Sequence, residues 1–218
     1  MGAALGMFAL VIGVTLWSLI GQDRAIAKFT KDVQIETEIA EGTAEDVAAL
    51  RAKLDAFSQR ASGGEQGVEL SLSMEELNLI VAHTESGKDY RGMVYFTGTR
   101  EIEGEPDPES GGRSQARQLV ANVCVTMNKL KFWEKRYLIG EMEFDLRKVP
   151  AGLDLIVTGI NVPDLDVPAQ FVGNFANWHW LSPFHEDPKM GPVFKAIREA
   201  KILDDRVVLT TGEKAGDG

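Results

Sequence analysis

Apolar side chains first settle into a period of two at residues 68–73, where Val68, Leu70 and Leu72 alternate with Glu69, Ser71 and Ser73. That is the pattern of a strand with one buried face. At Ser73 the period lengthens, and Leu77, Ile80, Val81 and Thr84 recur at helical spacing up to Gly87, which reads as the stop. Ser73 with Glu76 three residues on forms a capping box: the hydroxyl takes a free N–H of the first turn and the carboxylate reaches back to the cap. Glu75 and Glu76 also suit the positive end of the helix dipole. So short a helix is marginal alone, so other elements must cover it.

Downstream the alternation returns in runs. Residues 90–99 read as a strand, as do 119–127 with Leu119, Ala121, Val123 and Val125 on one face. Residues 138–146 put Leu138, Gly140, Met142, Phe144 and Leu146 inward and Glu141, Glu143 and Asp145 outward, and 153–162 follow after a Pro150-Ala151-Gly152 turn. Consecutive strands with short connections predict an antiparallel meander. Gly92, Gly98, Gly140 and Gly159 inside these runs mark bends or bulges, as a strongly curled sheet requires. Residues 101–114 are acidic and rich in Pro and Gly and read as a solvated loop. Pro168 opens a helix with Phe171, Val172, Phe175 and Trp178 on one face, Pro192 opens another with Val193, Phe194 and Ile197, and 207–210 form a last strand.

Upstream of all this, residues 2–20 carry no charge and are dominated by Ala, Leu, Val, Ile, Phe and Trp. As a helix they span roughly 28 Å, close to the hydrocarbon thickness of a bilayer, with Trp17 near one edge. The competing reading is a cleaved signal peptide, given Ala25-Ile26-Ala27, but no basic stretch precedes the apolar run. Between anchor and strands, residues 43–64 read as a helix capped by Thr43 and Asp46 and stopped by Gly63-Gly64. Its Val47, Leu50, Leu54 and Phe57 make one apolar stripe, for packing on the domain itself or for self-association. The organisation expected is an anchor at 2–21, a helical linker at 22–64, a β-rich domain at 65–211 and a disordered tail at 212–218.

Composition narrows the function. Net charge is 23 − 33 = −10, which speaks against nucleic acid, since phosphate binding needs a basic face. Cys124 is the one cysteine and falls in an apolar strand, where a buried inert thiol is expected. His179 and His185, six apart around prolines, have no zinc-ligand spacing, and His83 ends a helix. The carboxylates Glu101, Glu103, Glu105, Asp107 and Glu109 do not match a calcium loop. Asp164 and Asp166 read as solvating an extended, proline-flanked linker. No catalytic motif stands out, so neither enzyme activity, metal nor cofactor is expected. Two features rise above background. Lys129, Lys131, Lys135 and Arg136 surround Phe132 and Trp133 in one inter-strand connection, a basic-aromatic loop suited to an anionic lipid surface or to an ordinary hairpin folded on the core. Phe171, Phe175, Trp178, Trp180 and Phe184 form an aromatic cluster, a core or a pocket wall.

The order of elements resembles the YpmS-like membrane-anchored bacterial proteins: an N-terminal anchor, a strand running into Ser73, Glu76, Leu77 and Asn78, then a meander ending in Gly159 and a Val167-Pro168 step before a helix. Those proteins are similar to the tubular lipid-binding (TULIP) group. The resemblance covers roughly residues 68–211. It implies a curled antiparallel sheet wrapped around a helix and an apolar groove, no catalytic residues, and a domain outside the cytoplasm. Arg24, Lys28 and Lys31 after the apolar run point the other way by the positive-inside rule; the resemblance is given the greater weight. The expectation is an α+β, membrane-tethered domain of the cell envelope binding a membrane lipid or apolar small molecule, with Leu77, Ile80, Val81, Phe171, Phe175 and Trp178 as its wall. The alternative is a filled-core assembly module that binds another envelope protein.

Overall fold

A computed structural model describes residues 21, 24–106, 113–127, 135–150 and 152–212. Residues 2–20 of the expected anchor at 2–21, residues 213–218 of the expected tail at 212–218 and the basic-aromatic loop at 128–134 lie outside the described residues. Among the described residues no helix is long and apolar enough to cross a membrane.

The chain runs α1 (Ala44–Ser62), β1 (Glu69–Ser73), α2 (Met74–His83), β2 (Val94–Pro106), β3 (Arg113–Thr126), β4 (Tyr137–Val149), β5 (Gly152–Asn161), α3 (Ala169–Ala176), α4 (Ser182–Glu186), α5 (Met190–Ala196), β6 (Ile197–Ile202) and β7 (Arg206–Thr211). The architecture is α+β and antiparallel throughout, as expected. The single curled sheet, however, is two sheets: a four-stranded meander β2-β3-β4-β5 and a three-stranded sheet β1-β7-β6. The reason lies at the end of β1. Because β1 runs directly into α2, it has no hairpin partner beside it in sequence. It pairs instead with β7 from the far end of the chain, Leu70 opposite Leu209 and Leu72 opposite Val207. One apolar core joins the inner faces of both sheets, with Leu119, Ala121, Val123, Leu138, Met142 and Phe144 from the meander buried almost completely.

Both predicted capping boxes form. Ser73 Oγ accepts from Glu76 N at 3.1 Å and Glu76 Oε2 accepts from Ser73 N at 2.9 Å; Thr43 and Asp46 make the matching pair on α1. Glu76 is also held by Lys53 Nζ at 2.6 Å, tying α1 to α2. Asn78 docks α2 on the meander: its side-chain amide donates to Phe96 O at 2.8 Å while its oxygen accepts from Phe96 N at 2.7 Å. The amide thus does for the edge of β2 what a neighbouring strand would do. It does so next to the bulge at Gly98, where the register of β2 on β3 shifts. A second bulge faces Gly159, between Glu143 and Phe144.

Several local expectations change. The acidic stretch is mostly strand, not loop: β2 continues to Pro106 and β3 starts at Arg113, with Glu101 opposite Arg117 and bonded to it at 2.5 Å. Charge pairing across the ladder stabilises residues whose composition alone suggests solvent. The strand expected at 90 begins at Val94, after a 3-10 turn at Lys88–Tyr90, and Gly92 belongs to that turn with φ +68°. Gly140 pairs regularly; a Cβ there would meet Asn161 O at 2.4 Å, so close approach rather than a bulge requires glycine. Helix α2 ends at His83, with Thr84 as its cap, not at Gly87. The helix at Pro192 gives way at Ile197 to β6, which the helical spacing of Val193, Phe194 and Ile197 conceals. Pro168 is the cap of α3, one residue before the helix proper.

The segment before α1 is not a uniform helical linker either. A helical turn at 24–27 leads into an extended run at 34–43. Lys31 exchanges backbone hydrogen bonds with Tyr137, and Phe29, buried, meets Phe171 edge-on at 4.8 Å. In α1, Leu50, Phe57 and Ala61 are buried in the common core, so the apolar stripe is packed on the domain itself.

Candidate functional site

The two sheets and three helices do not fill the space between them. A cavity of about 390 Å³ remains, within the roughly 300–1,000 Å³ of small-molecule sites. Its floor is apolar: Val94, Phe96, Leu119 and Phe144 from the meander face Leu70, Leu72, Val207 and Leu209 from the smaller sheet. Its upper walls are α1 through Leu54 and Phe57, α2 through Leu77, Ile80 and Val81, and α5 through Val193 and Phe194. Helix α2 explains how the space arises. It commits Asn78, Leu79 and Ala82 to full burial, which turns Leu77, Ile80 and Val81, half-buried, toward the open interior.

Of the six expected wall residues, the structure brings together three. Leu77, Ile80 and Val81 line the cavity; Phe171, Phe175 and Trp178 do not. Helix α3 packs along β5, with Phe171 on Phe29 and Phe175 against Trp178 at 4.7 Å, and Phe175 and Trp178 back onto Trp180 rather than line the cavity. Their neighbours Trp180 and Phe184 take the place expected of them. A helical face read from spacing shows that α3 is amphipathic but not which layer it covers. In the basic-aromatic loop, Lys129, Lys131, Phe132 and Trp133 lie outside the described residues. Lys135 is exposed. Arg136 donates to Thr30 Oγ1, Thr30 O and Ala27 O, a tie to the N-terminal turn rather than a free surface cation.

Trp180 is positioned by a residue that the sequence reading missed. Asp154 on β5 is fully buried. Its Oδ1 accepts from Leu155 N and Leu181 N, each at 2.9 Å, and its Oδ2 meets His179 Nδ1 at 3.0 Å. The carboxylate therefore pins both residues flanking Trp180. The indole then packs edge-on against Phe144 at 5.3 Å, and the backbone carbonyl of Trp180 accepts a 2.5 Å hydrogen bond from Tyr90 Oη. Burial, with smaller contributions from Asp154 and Asp89, pushes the Tyr90 phenol up to about 12, so it remains a donor at neutral pH. The available signal was a lone carboxylate inside the apolar run Leu153–Val157. His179, largely exposed, makes no hydrogen bond through Nε2 among the described residues, and the aspartate–histidine contact ties the segment before Trp180 to β5.

The mouth of the cavity is polar. Arg51 and Asp55 of α1, His83 to Ser86 at the end of α2, and Asp187 and Lys189 before α5 surround it. Burial alone would raise the Asp187 carboxyl, but hydrogen bonds from Lys189 N, Met190 N and Ser86 Oγ outweigh it and hold the group below its ordinary value. Glu85 is bonded to Lys88. The side chains of Arg51 and His83 make no hydrogen bond or ion pair among the described residues. An apolar interior under a charged rim suits a molecule with an apolar body and a polar end. No protein-family model, curated protein or solved structure matches the chain. The functional reading therefore rests on the geometry of this cavity.

Cys124 is buried in β3, and burial pushes its thiol up, which keeps it protonated and unreactive.

Proposed function

We propose that the chain is a non-catalytic, membrane-tethered domain that binds a lipid or other apolar ligand between its two sheets. The observation that carries this reading is the cavity of about 390 Å³, walled by leucine, isoleucine, valine and aromatic side chains and open at a charged rim. A void of this size is costly to leave empty, because its lining forgoes dispersion contacts and apolar burial. A ligand's apolar surface, at ~25 cal/mol per Å², restores them without any specialised polar chemistry. The uncharged run at 2–20 supports tethering, and the resemblance to the YpmS-like and TULIP proteins supports a domain outside the cytoplasm.

The test is a fluorescence titration of the full chain in detergent with a polarity-sensitive apolar dye, beside Val81→Trp, which places an indole in the cavity. Saturable binding lost in the variant, with unfolding still cooperative, is expected. Equal dye binding by both proteins would remove the cavity as the site.

A second reading, an assembly module for another envelope protein, is favoured by one feature. Val33, Ile35 and Ile39 are exposed at 63%, 51% and 47% along the extended run before α1. Its prediction is an empty cavity and a partner lost on Ile35→Asp.

A further inference from the structure

Beside the main cavity lies a second, half-open space of about 230 Å³. It occupies the seam where the two sheets fail to close, between β4–β5 on one side and β6 on the other, with Lys148, Arg198 and Glu199 on its outer wall. Three side chains line both spaces: Leu146, Leu153 and Ile197. They form the partition between the two spaces. Each comes from a different strand, and β5 and β6 share no ladder, so only apolar packing keeps the two spaces apart.

The rim and the partition sit at the two ends of α5. Lys189, on the rim, precedes the helix, and Ile197, in the partition, follows it. A helix of 7 residues spans roughly 10 Å, so the path between charged mouth and apolar stop is short. The beginning of β5 is held close to this helix by Gly152. It has φ +133°, and a Cβ there would meet Phe194 O at 2.7 Å. That contact keeps the seam narrow.

The geometry points to a chain-length stop. The cavity takes an acyl chain of medium length, its polar end at the rim, where Arg51, His83 and Lys189 stand among Asp55, Glu85 and Asp187, and its terminal methyl against Leu146, Leu153 and Ile197. This rests on the cavity being a ligand site, and adds the ligand's class, its direction and the residues that limit its length. Removing part of the partition joins a further 230 Å³ to the 390 Å³ already present, more than half as much again.

The experiment uses saturated straight-chain carboxylic acids displacing a fluorescent fatty acid from the full chain in detergent. In the unmodified protein, affinity climbs about fourfold per methylene across a series from about 6 to about 16 carbons, then stops climbing at a medium length. In Leu153→Ala the climb continues for several further methylenes. In Leu155→Ala, which widens the main cavity but lies outside the partition, the break stays where it was. If Leu153→Ala no longer unfolds cooperatively, the milder Ile197→Val must move the break in the same direction by less. A break that moves in neither partition variant, or moves equally in Leu155→Ala, overturns the length stop while leaving the ligand site intact. Absence of saturable binding by any chain in the unmodified protein overturns the ligand site itself.

Discussion

At the scale of single residues, two buried polar groups and one half-buried phenol hold the cavity's walls. Asn78 satisfies both backbone groups of Phe96. Asn78→Ala leaves a buried N–H and C=O without partners and is expected to cost about 2–4 kcal/mol. The check is a lowered urea midpoint at unchanged slope. Asp154 accepts three hydrogen bonds while fully buried. Asp154→Ala orphans the Leu181 N–H and is expected to lose about 1–3 kcal/mol and to broaden the tryptophan emission as Trp180 comes loose. Tyr90 supplies a pH dependence. Its phenol, ordinarily at 10.0, is raised to about 12 in the folded chain. The neutral form is thus favoured by folding. The unfolded chain gives up this proton first, so the stability contributed is complete below pH 10 and is lost as pH climbs toward 12. Tyr90→Phe is expected to flatten that alkaline limb in a series of denaturation curves. Asn78 was visible in the sequence as part of the capped helix, yet its partner was not. A hydrogen bond spanning 18 residues leaves no mark on local spacing. Asp154 was visible only as an exception to an apolar run, whose meaning depends on the His179–Leu181 segment laid over it.

The elements were legible where local rules suffice. Capping boxes, strand alternation and the meander follow from neighbours in sequence, and α1, α2 and β2–β5 formed from those signals. The elements that differed were decided by partners far along the chain. β1 goes to β7 and so divides the expected sheet in two; the acidic end of β2 is ordered by Arg117 opposite Glu101; β6 exists because β7 is there to pair with it. Half of the expected wall was misplaced for a related reason. Spacing identifies an amphipathic face, and α3 spends its face on β5 and Phe29 while Trp180 and Phe184 turn inward. Helix α1 gives the element-scale prediction. Phe57 is both buried and part of the cavity lining, so Phe57→Ala is expected to cost about 3 kcal/mol, at the low end for such truncations because one side already adjoins a void. A free self-association helix would instead lose oligomer mass and keep its unfolding midpoint; sedimentation and denaturation together distinguish the two.

For the whole molecule, the decisive feature is that two unclosed sheets and their helices enclose more space than their side chains fill. Sequence reasoning anticipated an interior that needs a guest, but placed it inside one curled sheet. The structure places it between two, under a lid that includes a helix assigned beforehand to a linker. On the proposed reading, the charged rim would meet the polar end of a ligand of the chemical class that the resemblance to tubular lipid-binding proteins implies. The most direct measurement is native mass spectrometry of the full chain released gently from detergent, compared with Val81→Trp. An adduct of defined mass on the unmodified chain, absent from the variant, is the predicted result. A bare chain that also takes up no added fatty acid, while unfolding cooperatively, contradicts it.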